Sequence, residues 1–264
     1  MSLGKHLASI ALGLASSFAI LSCNGTSTGP NTTVKAPSVD SSLVAHYMLN
    51  GNSSDSSIYH NDGVVLGGSR VADRFGVGSQ AWYCNGAKSG MSFPDAPQLN
   101  FGSQKSFTIC GWFKLDSVGG ILSYQVVTKG TGGGTSFQGF SLQLYSFGLG
   151  DFWPVDFVGT SVGSNSSANS APFEYLHKNM VNRWHFFVMQ IDRSISNDII
   201  SFDNASLSGT PDGNLAGNIN CTAPLVLGGG SGATAFKGAI DDIRIYNRIL
   251  SASEIDSLYH ERGW

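Results

Sequence analysis

Charge is what this sequence has least of. In 264 residues there are 15 Lys or Arg and 18 Asp or Glu, so charged residues make up 12% of the chain and the formal net charge is −3. A typical soluble domain carries about twice that charged fraction. With so few cations there is no basic face to neutralise phosphates, which excludes a nucleic-acid binder. Glutamate is scarcer still: only Glu174, Glu254 and Glu261 occur. A glycosidase needs two carboxylates flanking a cleft, and here such a pair would have to draw largely on Asp. The four cysteines form no Cys-x-x-Cys and no Cys/His cluster, which argues against zinc. No Gly-Lys-Ser/Thr is present for a phosphate loop. No apolar run reaches the ~20 residues of a membrane-spanning helix.

What is abundant points to β structure. Glycine numbers 34, phenylalanine 16, and hydrophobic residues make up 41%, enough for a core and too much for wholesale disorder. From Leu43 onward, apolar runs of five to eight residues alternate with Gly, Ser, Asn and Asp. The strand-like runs are Val44–Leu49, Gly63–Leu66, Ser79–Cys84, Ser106–Phe113, Ile121–Val127, Phe140–Tyr145, Trp184–Ile191, Ile199–Phe202, Leu225–Leu227 and Ala239–Tyr246. Ten strands joined by turn signals read as an all-β, two-sheet antiparallel sandwich or jelly roll. One stretch is helical: Ser251-Ala-Ser-Glu254 has the capping-box pattern, followed by Ile255 and Leu258-Tyr259 at helical spacing. It predicts a short helix near the end of the chain.

The first residues read as an address. Lys5 gives a weak basic region and Leu7–Leu21 an apolar one, ending Ile20-Leu21-Ser22-Cys23. The small residue before a cysteine resembles the bacterial lipobox, which makes residues 1–22 a lipoprotein-type signal peptide and Cys23 the lipidated residue. An ordinary secretory signal cut a little later is the alternative. Residues 23–40 are rich in Ser, Thr, Asn, Gly and Pro, a flexible tether, and residues 41–264 are the folded domain. These features place the protein in the cell envelope, at the outer membrane or cell surface, attached to the membrane through its lipid. Cys84, Cys110 and Cys221 allow one disulfide with one thiol left over, or three reduced thiols.

Enzyme motifs fail on context. Gly159-Thr-Ser161-Val-Gly163 fits the nucleophile-elbow pattern, but a Ser/Asn-rich stretch follows where a helix is required. Gly228-Gly-Gly230-Ser-Gly-Ala233 mimics a dinucleotide fingerprint but leads into a strand. His46 and His177 show no partner in sequence, and His185 reads as a strand residue beside the core Trp184, so all three read as structural. More suggestive is the loop Asn50–Gly63, whose side chains and carbonyls offer many oxygens to a hard cation such as calcium; self-satisfied turn chemistry is the competing reading. In Ile240-Asp-Asp-Ile-Arg-Ile-Tyr246, strict alternation places Asp241 on the face of Ile243 and Ile245, where a carboxylate needs a cation or several donors.

A family resemblance rests on these same residues. Asn50-Gly-Asn52, Asp55-x-Ser57 and Asn61-x-Gly63 resemble the first loop of laminin-G-like jelly-roll domains in the concanavalin A-like lectin/glucanase superfamily. Phe107-Thr-Ile-x-x-Trp112, Trp184-His185, Phe202-Asp-Asn204 and Leu225-x-Leu227-Gly-Gly229 follow in that family's order. Phe236–Ile255 is similar to the family's closing strand and helix almost residue by residue. The resemblance spans Leu43–Trp264 and implies a structural calcium held by Asp55, Asn61 and Asp241. Ile58 and His60 stand where the family commonly has glycine.

The expected function is a non-catalytic, surface-anchored module for extracellular glycan. The alternatives are an adhesive lipoprotein that binds a surface protein and a divergent glycoside hydrolase. Tyr145-Ser-Phe-Gly-Leu-Gly-Asp151-Phe-Trp153 places aromatics and a carboxylate among loop-forming residues, and binding on rigid sandwiches usually lives on loops. Asp151 and Trp153 are therefore the candidate ligand contacts.

Overall fold

A computed structural model describes residues 40–264 except 87, 117–120, 133–136, 148–151, 160–166, 169–180, 210–216 and 230–234. The signal, Cys23 and most of the tether therefore lie outside the described residues, as do Asp151, Glu174 and His177. Residues 40–264 fold as one compact unit.

Fifteen strands are described in chain order: β1 (Leu43–Tyr47), β2 (Val64–Gly67), β3 (Ser69–Val71), β4 (Ala81–Asn85), β5 (Gly90–Phe93), β6 (Phe107–Leu115), β7 (Ile121–Thr131), β8 (Gln138–Phe147), β9 (Phe152–Gly159), β10 (Ser167–Ala168), β11 (Trp184–Asp192), β12 (Asn197–Phe202), β13 (Ala205–Gly209), β14 (Leu225–Leu227) and β15 (Lys237–Tyr246), followed by helix α1 (Ala252–Tyr259). Sheet 1 runs β13-β12-β11-β6-β15-β4-β3, with β1 also paired to β15; sheet 2 runs β10-β9-β8-β7-β14-β5-β2. The paired strands are antiparallel throughout. The fold class read from the sequence is thus the one observed, a two-sheet antiparallel jelly-roll sandwich with a short helix near the end of the chain.

Between the sheets lies the main core, in which Phe107, Phe113 and Phe187 of sheet 1 join Phe93, Phe140 and Leu142 of sheet 2. Strand β6 is buried on both faces. Its Phe107, Ile109 and Phe113 enter the main core. Its Cys110 and Trp112 enter a second core on the outer side of sheet 1, against Ile255, Leu258 and Tyr259 of α1. The helix begins as its sequence dictates: Ser251 Oγ accepts from Glu254 N at 3.3 Å and Ser251 N donates to the Glu254 carboxylate at 2.8 Å. Sheet 1 is thereby covered on both faces. Among the described residues, no core cluster lies on the outer face of sheet 2.

The chain passes from sheet 2 to sheet 1 at Gly68, whose φ is 111° and where an added Cβ would stand 2.3 Å from the Tyr83 carbonyl oxygen. Only glycine meets both demands.

Strand β15 departs from strict alternation. Its register with β6 shifts between Asp241 and Arg244, a β-bulge in which Asp242 holds a φ of 52°. The extra residue re-aims the side chains on either side of it. Ile240, Ile243 and Ile245 all enter the main core, while Asp241 pairs in register with Trp112 and turns to the outer face of sheet 1. The expectation that Asp241 shares a face with Ile243 and Ile245 is corrected by that bulge. Gly111 of β6 accommodates it, since a Cβ there would meet the Ile243 side chain at 2.4 Å.

The three described cysteines, Cys84, Cys110 and Cys221, are free. Cys84 and Cys110 are buried, and burial pushes both thiols up to about 12, so they are inert apolar filling. Cys221 lies outside any strand, and its carbonyl accepts from the buried Lys129 Nζ at 2.7 Å.

Candidate functional site

Three places concentrate polar chemistry: the first loop, a charged junction on sheet 1 and the outer face of sheet 2. In the first loop, Asp55 is 2% exposed. Its Oδ1 accepts from the backbone N–H of His46 and of Ser57, both at 2.9 Å. Its Oδ2 accepts from Ser57 Oγ at 2.9 Å and from Asn61 N at 3.0 Å. Asp62 Oδ1 in turn accepts from Asp55 N at 2.7 Å. The Asn61 amide donates to the Pro94 carbonyl at 3.0 Å. His60, standing where the family commonly has glycine, adopts a φ of 47°. The loop is therefore tied by its own carboxylates, the self-satisfied turn chemistry that Asn, Asp and Ser supply. Asp55→Ala strands three backbone donors, that of Ser57 buried and those of His46 and Asn61 half-buried, and is expected to destabilise the domain by about 2–3 kcal/mol, read as a lower urea midpoint.

The second place lies where β15 changes partner. Lys237–Ile240 pairs with β4 and Ile243–Tyr246 with β1; Asp241 and Asp242 fill the gap between. Asp241 Oδ2 receives Arg74 Nη1 at 2.9 Å, and Asp242 Oδ2 receives Arg74 Nη2 at 3.3 Å. His46 Nε2 stands 2.7 Å from Asp242 Oδ1, and Arg244 Nη2 bridges Asp242 at 3.2 Å and Glu261 at 2.7 Å. These groups line a pocket of about 170 Å³. Burial pushes the Asp241 carboxyl up, to about 7, against the pull of Arg74. Burial also presses on Asp242, but the His46 hydrogen bond and the Arg244 and Arg74 charges outweigh it and hold that carboxyl below the usual range.

The calcium shell implied by the resemblance is not assembled by these residues. Both oxygens of Asp55 already accept two protein donors each, Asn61 is oriented by the donation of its Nδ2 to the Pro94 carbonyl and brings at most its Oδ1, and Asp241 is paired with a guanidinium. Calcium takes six to eight oxygens. Among the described residues, no group of three or more His, Cys, Asp or Glu is placed to hold a metal ion. The residues present do not fit the ion.

The third place is the outer face of sheet 2. Phe140, Leu142 and Leu144 of β8 point into the main core, so the intervening Ser141 and Gln143 belong to the opposite face. There Thr128 Oγ1 lies 2.8 Å from Ser141 Oγ, and Gln143 Nε2 donates to Ser141 Oγ at 3.3 Å. The β8–β9 register continues that ladder outward, pairing Ser141 with Phe157, Gln143 with Val155 and Tyr145 with Trp153. Trp153 therefore occupies a strand position, not the loop expected from its glycine-rich surroundings, and Asp151 lies outside the described residues. Thr128, Ser141 and Gln143 escaped sequence reasoning because isolated hydroxyls and amides in a strand carry no motif; only the cross-strand register assembles them.

His185, expected to be structural, is buried with Nδ1 2.6 Å from Asp203 Oδ2. Asp203 also accepts from Phe186 N at 2.9 Å. It sits with Asn204 in the β12–β13 turn, at φ 48° and 64°, the two left-handed positions of a type I′ hairpin.

Residues 85–256 match the Laminin_G_3 family model, described as the concanavalin A-like lectin/glucanases superfamily. No curated protein sequence matches the chain. Similar solved structures include the binding domain of Paraclostridial Mosquitocidal Protein 1, with 18% identity and a TM-score of 0.63 over 78% of this chain and 49% of that one. The binding domain of botulinum neurotoxin DC, solved in complex with SialylT, shows 16% identity and a TM-score of 0.64 over 84% and 52%. Botulinum neurotoxin type C, whose cell entry depends upon interaction with two ganglioside molecules, shows 16% identity and a TM-score of 0.63 over 86% and 52%. The chain spans about half the length of these structures, and at such identities the likeness is one of fold.

Proposed function

Since the chain belongs to the Laminin_G_3 family of the concanavalin A-like lectin/glucanases superfamily, we propose that it is a non-catalytic binding module that takes an extracellular glycan on the outer face of sheet 2. The observation that carries this reading is the pair of half-buried polar side chains Thr128 and Gln143, joined through the hydroxyl of the buried Ser141 and lying on strands whose register goes on to pair Tyr145 with Trp153. Sugars are held by ring stacking on aromatics and by hydrogen bonds to polar side chains; Thr128 and Gln143 supply the second, and the β8–β9 backbone register brings Tyr145 and Trp153 opposite each other for the first. The similar structures support the reading in kind, since they are binding domains and two are associated in name with SialylT or gangliosides. The carboxylates of the first loop and the charged junction, Asp55, Asp241 and Asp242, are engaged by protein donors, which favours binding over glycoside hydrolysis there.

The lipobox-like Ile20-Leu21-Ser22-Cys23 and the tether up to Asp40 complete the proposal. The module would be carried on a lipid anchor at the outer membrane or cell surface, with the sandwich held off the bilayer.

A second reading is favoured by one observation. The edge strand β2 exposes Val64 by 62%, Val65 by 45% and Leu66 by 50%. An apolar sheet edge suits pairing with another chain, and one similar botulinum neurotoxin binding domain is solved with rat synaptotagmin II.

An immobilised glycan array, run with the protein in the presence of chelator, tests the choice. The expected result is retention on a defined set of glycans with no product released on prolonged incubation. Release of sugar would assign an enzyme, and a blank array would move the weight to the β2 edge.

A further inference from the structure

The charged junction on sheet 1 is independent of the glycan face and carries its own conclusion. Its acids converge from separate parts of the chain: Asp241 and Asp242 from the bulge of β15 and Glu261 from the segment after α1. Four acidic side chains, counting Asp73, line one pocket of about 170 Å³. Buried carboxylates in such proximity demand a cation. We infer that the Arg74 guanidinium is that cation, a covalently built-in counterion that makes a divalent metal unnecessary at the place where strands β15, β4 and β1 meet.

The geometry supports this in three ways. Arg74 is buried to 3% side-chain exposure and spans the two adjacent carboxylates, with Nη1 on Asp241 and Nη2 on Asp242. Its planar head lies 4.5 Å from the Phe75 ring and 4.7 Å from the Trp112 ring, contacts that suit a stacking guanidinium better than a compact ammonium. Asp242 is met as well by His46 and Arg244, Glu261 by Arg244, and Asp73 by the backbone N–H groups of Phe75 and Val77 with Arg262 3.9 Å away. An ion of charge two entering here would have to expel a buried, stacked arginine.

Thermal unfolding of the protein in millimolar calcium and in excess chelator, paired with elemental analysis of the purified protein, provides the first test. The expected result is one melting temperature in both conditions and no stoichiometric calcium. A chelator-induced drop in melting temperature, or one calcium per chain, would overturn the inference. The second test separates neutralisation from packing. Arg74→Met keeps the apolar stem and is expected to melt roughly 10 °C lower, because it leaves the buried Asp241 without its charge partner, while Asp242 keeps His46 and Arg244. The double variant Arg74→Met/Asp241→Leu is expected to recover part of that loss. A double variant that melts no higher than the single one would show that Arg74 is not neutralising Asp241. Arg74→Lys, which supplies charge without the fork, is expected to fall between wild type and Arg74→Met; equality with wild type would remove the bridging role.

Discussion

Trp112→Ala is expected to destabilise the domain by about 3–5 kcal/mol, the range for deleting a large buried aromatic. Trp112 is 1% exposed on the outer face of sheet 1 and organises everything that covers that face. Its ring lies 5.1 Å from Phe186 of β11, 5.8 Å from Tyr259 of α1, and 4.9 Å from Trp264. The Arg74 guanidinium packs on it as well. Removing the indole therefore opens a cavity between sheet and helix, and it withdraws one of the two rings that hold the arginine between its carboxylates. Urea unfolding followed by tryptophan fluorescence and by far-UV circular dichroism reads the effect. A midpoint within experimental error of wild type would mean that α1 and the segment after it contribute nothing to the stability of the sandwich.

The second large effect concerns affinity. Trp153→Ala is expected to raise the Kd for a glycan selected on the array by about 30-fold or more, the loss of roughly 2 kcal/mol typical of an aromatic hot spot, while the urea midpoint stays at the wild-type value. Gln143→Ala, which removes one neutral donor and acceptor, is expected to cost only about 1 kcal/mol, close to fivefold. The pairing of readouts is what decides. Lost affinity at unchanged stability places Trp153 in the binding face, as its register opposite Tyr145 suggests. A fall in midpoint of core-deletion size would make Trp153 a core residue and remove the aromatic half of the proposed site.

Much of the fold was legible because it is written in short-range pattern. The capping box Ser251–Glu254 predicted α1, and Leu225–Leu227 was read as a strand with the bounds that β14 has. β6 announced itself through Phe107, Ile109 and Phe113. β9 carries no such signal, because its approach, Gly148-Leu-Gly-Asp151, reads as loop and Pro154 breaks the strand pattern. β5, with glycine at its head, was passed over for the same reason.

The site was less legible than the fold. Asp55 was recognised as a focus of the first loop, but whether its oxygens meet a metal or backbone N–H groups depends on how the loop closes, which residue types alone do not decide. Asp241 was assigned to the wrong face because a single inserted residue at Asp242 reverses the parity of a strand. Its partner Arg74 lies 167 positions away in sequence, joined to it only by the meeting of strands. The ladder of Thr128, Ser141 and Gln143 has the same character, being a property of register.

The central claim is that ligand meets the outer face of sheet 2, and amide chemical-shift mapping tests it most directly. The isotope-labelled protein is titrated with a glycan retained on the array, in chelator. Shifts concentrated on β7, β8 and β9, around Thr128, Ser141, Gln143 and Trp153, are the predicted result. Shifts confined to α1 and the outer side of sheet 1, or to the β2 edge at Val64–Leu66, would contradict the account and move the binding surface there.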